Sequence, residues 1–240
     1  MTSTSSPPRN APRRRTRATE NLLRPPQSLP EWVADAVRVL GVLGVVVAAV
    51  WFDPTDVGIA ALALPALAVP RVLGLRAWFD VTLGITVLAA AWSNVLGLYE
   101  TIAGWDLLLH FACTGALAIA VAVILTRTGV AAISPAEPAR VPLVLLPLIA
   151  LAISAVWEMI EWLGWAFVSD EIFVAYEDTI GDMAFGGLGG IVAGVILSRV
   201  TVDRSDVRGP RSRPGSTGGG RRQEGPVREI PDAGSEVNHL

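Results

Sequence analysis

Lysine is absent from the 240 residues, so all 19 basic side chains are arginines. Charge of either sign is scarce: charged residues make up 17% of the chain against 52% hydrophobic residues, with a mean hydropathy of +0.50. A soluble domain carries about a quarter charged residues, so this composition excludes one and points to a multi-pass membrane protein. There is a single cysteine, Cys113, inside an apolar run. It excludes an intramolecular disulfide and says nothing about redox compartment; as a small buried apolar residue it needs no chemistry to explain it. The Arg-bearing tails lack interleaved aromatics and any folded module, which excludes nucleic acid as a partner. No internal repeat organises the chain.

What the chain does contain is long apolar runs. A spanning helix needs about 20 mostly apolar residues to cross about 30 Å of hydrocarbon, and six stretches qualify: 33–52, 57–75, 78–99, 105–126, 141–167 and 179–200. The second holds Pro65 and Pro70 and is expected as a kinked span, since neighbouring helices can satisfy freed backbone groups. The expected fold is therefore an all-α polytopic bundle of about six transmembrane helices over residues 32–200. On either side, residues 1–31 and 201–240 read as disordered cytoplasmic tails, the first basic around Arg13, Arg14, Arg15 and Arg17.

The loops alternate in charge. Arginines mark the amino tail, the loop with Arg71 and Arg76, the loop with Arg127 and Arg140, and the stretch from Arg199 onward; acids mark Asp53 and Asp56, Glu100, and Asp170, Glu171 and Glu177. Arginine is retained on the cytoplasmic side, so the pattern predicts a plasma (inner) membrane protein with both termini cytoplasmic. Most tryptophans fall toward the predicted outer ends, as an aromatic belt would place them.

Three apolar segments carry acids at helical spacing. Asp106 and His110 are four apart, Glu158 and Glu161 three apart, Asp178 and Asp182 four apart, so each pair shares one helix face. Asp106 and Asp178 sit at helix starts, where a carboxylate also serves as a cap and complements the dipole. Glu158 and Glu161 have no cap to form, and an acid within a membrane costs about 2.5–3.5 kcal/mol even on the lenient scale. On the sixth span Asp178, Asp182, Gly186, Gly190 and Gly194 recur every fourth residue, a small-residue face that lets helices approach closely and predicts a central place for this span. The expected site is one outward-facing pocket gathering His110, Glu158, Glu161 and Asp182, with Asp106 and Asp178 at its rim.

These motifs resemble those of the DUF2238 (YjdF-like) family of bacterial inner-membrane proteins. Its Asp-x3-His-Phe, Glu-x2-Glu-Trp and Asp-x3-Asp-Met segments are matched in order by Asp106, His110 and Phe111; by Glu158, Glu161 and Trp162; and by Asp178, Asp182 and Met183. The likeness covers about residues 75–197, and the Gln-Gly-Asp expected before the third motif is replaced by Val174, Ala175, Tyr176 and Glu177. A more distant similarity is to VanZ-like proteins. Neither resemblance implies an established reaction.

Three functions fit the residues. One imidazole and up to five carboxylates suit a divalent metal such as Mg²⁺, Mn²⁺, Fe²⁺ or Zn²⁺, and a metal-activated water with Glu158 or Glu161 as base would make a metal-dependent enzyme for a lipid-linked or envelope substrate. The same groups suit a proton- or cation-coupled transporter. They also suit a structural or partner-binding membrane protein whose polar residues join helices. A span broken at the acids favours transport; ligands within reach of one metal favour the enzyme.

Overall fold

The computed structural model describes residues 17–169, 172 and 174–206, which are helical apart from connecting loops and one isolated bridge, Leu75 with Asp203. Among the described residues eight helices follow in order: α1 Arg17–Leu23, α2 Leu29–Trp51, α3 Pro54–Leu73, α4 Ala77–Val95, α5 Leu98–Thr101, α6 Trp105–Thr128, α7 Arg140–Phe167 and α8 Tyr176–Arg199. The chain is an all-α membrane helix bundle. Arg13, Arg14, Arg15, Asp170, Glu171 and the tail beyond residue 206 lie outside the described residues.

Local chemistry sets the helix ends. Asp53 and Asp56 form a capping box over the start of α3, with Pro54 at the first position where its missing N–H costs nothing. Gly74 and Gly129 close α3 and α6 in left-handed conformation, at φ 62° and 77°. The stretch 57–75, expected as a kinked span, is helical to Leu73, without interruption at Pro65 and Pro70.

Five described helices, α2, α3, α6, α7 and α8, are long and apolar enough to cross a membrane. The expected third span differs: it stops at Val95, Gly97 turns at φ 62°, and α5 starts anew. Asp80, Ser93 and Asn94 dilute the apolar run of α4, so by composition this helix, not the proline-bearing α3, falls short.

Packing inverts the rule of soluble proteins. On α2 the buried face is Ala34, Val37, Gly41, Gly44 and Ala48, while Val39, Leu40, Leu43 and Val46 are exposed. Lipid solvates large aliphatic side chains as well as a core does, so small residues go inward, where they let backbones approach. Helices α2, α3 and α4 pack on one another, as do α6, α7 and α8; α6 joins the halves by touching α3, α4 and α5. Among the described helices the sixth span, expected to be central, packs on α6 and α7 alone, and α6 holds the central position. The glycines of α8 act within their own half. A Cβ on Gly190 would stand 2.7 Å from Pro147 Cα and 2.9 Å from the Leu146 carbonyl; one on Gly115 of α6 would stand 2.7 Å from the Gly189 carbonyl.

The tail boundaries also move. Residues 17–31 hold α1 and the start of α2, and residues 202–206 lie against the α3–α4 loop, with Arg76 N donating to Val202 O at 2.7 Å and Arg204 N to Gly74 O at 3.1 Å. Asn21 donates to Val72 O at 3.1 Å and accepts from Arg204 at 2.8 Å. Apart from Val202, which is buried in the core, these segments are held mainly by polar bonds to helix-end carbonyls, which is why composition reads them as tail.

Candidate functional site

Helix α6 starts behind Gly104 at φ 73°, and the Trp105 indole donates to Ser93 Oγ at 2.8 Å, tying that start to the end of α4. Asp106 therefore lies in the first turn and His110 one turn further in, on the same face. Helix α8 runs parallel to α6, and the contact of Gly115 with Gly189 lets the two come close enough for Asp182 to reach His110. His110 Nε2 stands 3.4 Å from Asp106 Oδ1 and 3.8 Å from Asp182 Oδ2. One ligand atom of each of the three residues falls within 4.8 Å of the others.

Burial is steep across this group: the Asp106 side chain is 29% exposed, His110 10% and Asp182 2%. Asp182 Oδ1 is buried and has no hydrogen-bond partner among the described residues. Asp106, expected at the rim, is instead one of the three that converge, because α6 enters the bundle with its first turn already against α8.

The other sequence-predicted residues stand around this core. Glu161 of α7 lines, with Asp106 and His110, a cavity of about 140 Å³. Glu158 is half-buried and set against Thr179 of α8, with its Oε1 buried and unpartnered among the described residues. Both glutamates face inward, whereas Val156, Met159, Ile160 and Leu163 of the same helix are exposed. Asp178 lies in the first turn of α8. Glu158, Glu161 and Asp178 remain outside the group whose ligand atoms lie within 4.8 Å of one another.

The structure adds residues that the motifs do not mark. Asn94 and Tyr99 line the cavity at its polar end, the Tyr99 hydroxyl donating to Ala90 O at 2.8 Å. Ser154 of α7 is fully buried against Gly186, its Oγ unpartnered among the described residues. The signal available for Asn94 and Ser154 was a polar side chain inside an apolar run. A second polar group, at the other end of the bundle, pairs Arg38 of α2 with Asp80 of α4 and with Asp35 at 2.7 Å.

Residues 35–203 match the family model described as predicted membrane protein (DUF2238), a span that encloses all three motifs. No curated protein and no solved structure matches the chain, and the VanZ-like likeness rests on the motifs alone.

Proposed function

This chain belongs to the DUF2238 family of membrane proteins, and within that frame we propose that Asp106, His110 and Asp182 hold a divalent cation in a membrane-embedded hydrolase for a lipid-linked substrate. The carrying observation is the spacing around His110 Nε2. A charge-assisted N–H···O bond is about 2.7–2.9 Å; His110 makes only a long one to Asp106, at 3.4 Å, and at 3.8 Å none to Asp182. With metal–ligand distances of about 2.0–2.2 Å, two ligands of a tetrahedral ion stand about 3.4 Å apart. The gap among the three side chains is thus the size of an ion, and the unpartnered Asp182 Oδ1 is a further donor. A buried carboxylate left without a partner is costly; a cation removes that cost.

When bound, the cation supplies Lewis acidity, polarising an ester and making a water acidic. The protein's own groups do the rest. Glu161, on the same cavity as Asp106 and His110, takes the proton from the attacking water and returns it to the leaving alcohol, so that water and ester give acid and alcohol. Tyr99 and Asn94 orient the polar group from the opposite wall. Helices α6, α7 and α8 run unbroken past the acids, unlike the discontinuous helices that bind ions in carriers, which sets the transporter reading behind the hydrolase. The alternation of helices collects Arg38, Arg71, Arg76, Arg127, Arg140 and Arg199 at the opposite end. By the positive-inside rule that end is cytoplasmic and the site opens to the outer side of the plasma membrane.

The test is metal content. Wild-type protein purified without chelator should retain close to one divalent ion per chain and melt at lower temperature in EDTA, whereas His110→Gln and Asp182→Asn should lose the ion. If the wild type carries none, and adding Mn²⁺, Mg²⁺ or Zn²⁺ leaves its melting unchanged, the metal site is absent and His110 serves only to join α6 to α8.

A further inference from the structure

The cavity at the His110 site is not a closed pocket around the polar groups. It continues along α6 from Asp106 to Leu117, eleven residues or about 16 Å at 1.5 Å per residue, which is half of the about 30 Å hydrocarbon thickness. Its depth is that of one leaflet. Away from the polar end its lining is aliphatic or small, with Ala63 and Ala66 from α3, Val87 and Ala91 from α4, Leu117 from α6 and Ile153 from α7.

The cavity also has an open side. Helices α3 and α7 both line it, yet they make no packing contact with each other. Leu62 of α3 lines the cavity and is still 48% exposed. In a bilayer that gap faces acyl chains.

We propose that the groove between α3 and α7 receives one hydrocarbon chain of a phosphate-bearing lipid, which enters sideways from the bilayer and sets its head at Asp106, His110 and Glu161. Three features select a lipid chain as the occupant. The polar groups gather at the end nearest the membrane surface and the aliphatic lining lies beneath them, the same order as head and chain in a lipid of that leaflet. The volume of about 140 Å³ is close to that of an apolar cavity that holds a benzene ring. It therefore takes the first few carbons of one chain, not two chains side by side, and the remainder lies in the open gap. Finally, Ala63, Ala66 and Ala91 keep the shaft clear where larger residues would fill it. The head group rests on the metal reading above, because carboxylates repel a phosphate unless a cation stands between them; the chain's place rests on the groove alone.

The experiment uses full-length protein in nanodiscs and a phosphatidic acid with a diazirine midway along one acyl chain, with labelled peptides mapped after irradiation. Labelling should concentrate on α3 and α7 at Leu62, Ala66 and Ile153, and should be lost in Ala66→Trp but kept in the lipid-facing control Val46→Trp. Because Ala66→Trp risks misfolding, unlabelled lysophosphatidic acid is added to wild type as a second arm and should suppress the groove labels while those on the outer face of α2 persist. Inorganic phosphate should not suppress them. Labels spread evenly over all exposed helix faces, or indifferent to the competitor, overturn the proposal. Chelation with EDTA separates the two readings: loss of preference for phosphatidic acid over the matching diazirine alcohol supports the cation-held head. Groove labelling that ignores EDTA and head group leaves the chain site standing and overturns the phosphate head, while the metal reading stands or falls by the ion content of the protein.

Discussion

At the scale of single residues, ionisable groups inside this bundle differ chiefly in whether protein supplies their partner. Arg38 and Asp80 are 19% and 10% exposed and neutralise each other between α2 and α4. Arg38 also donates to the Leu67 carbonyl at 3.0 Å in the proline-bearing helix. Removing one member of a buried pair strands the other, at a cost of about 3–5 kcal/mol, whereas replacing both with apolar residues is often neutral. Asp80→Asn should therefore lower thermal stability strongly, and Arg38→Met combined with Asp80→Leu should recover most of the loss. The Arg127–Asp203 pair is 30% and 38% exposed, and Asp203→Asn should cost no more than about 1 kcal/mol. Equal losses from Asp80→Asn and Asp203→Asn in a melting assay would show that burial does not set the cost. Asp182 differs from Asp80 in pairing with no arginine among the described residues: it faces the His110 imidazole and further acids, the setting from which the cation proposal starts.

At the scale of helices, the glycine face of α8 was readable as a four-residue repeat, but its partner was not. Gly186 faces Ser154 and Thr114, Gly190 faces Pro147 and Ala150, and a Cβ on Gly194 would stand 2.7 Å from the Pro142 carbonyl oxygen, so the face lies mainly on α7. Gly190→Leu would push side-chain atoms into the backbone of α7, which cannot yield. A loss of about 1–3 kcal/mol is expected from overpacking of this kind. Gly58 has nothing within 4 Å of a built Cβ, and Gly58→Leu should leave melting unchanged. Detergent-solubilised yield and melting temperature of the two variants decide the matter: a stable Gly190→Leu would refute the close α7–α8 contact. The same small residues position the chemistry, since without the Gly115–Gly189 approach Asp182 could not come to 3.8 Å of His110.

At the scale of the whole molecule, helices alternate in direction and bring the arginines to one end and the His110 group to the other. Reporter fusions after Arg76 and after Glu171 should therefore report opposite sides of the membrane, and the same side for both would refute the proposed orientation. The sequence by itself determined the class, the long helices and the candidate residues, because an apolar run long enough to span and an acid too costly to leave in lipid are properties of a chain segment. It placed the ends of α3, α6, α7 and α8 to within a few residues for the same reason. It could not place α1 or residues 202–206, whose order comes from bonds such as Arg204 to Asn21, 183 positions apart. Nor could it tell which acids meet. Asp106 joins His110 and Asp182 while Glu158 turns toward Thr179, and α8 keeps to one half while α6 joins both. A helix's own periodicity fixes which residues share a face, but the partner of that face depends on where small side chains allow two backbones to approach, and only the tertiary packing decides that.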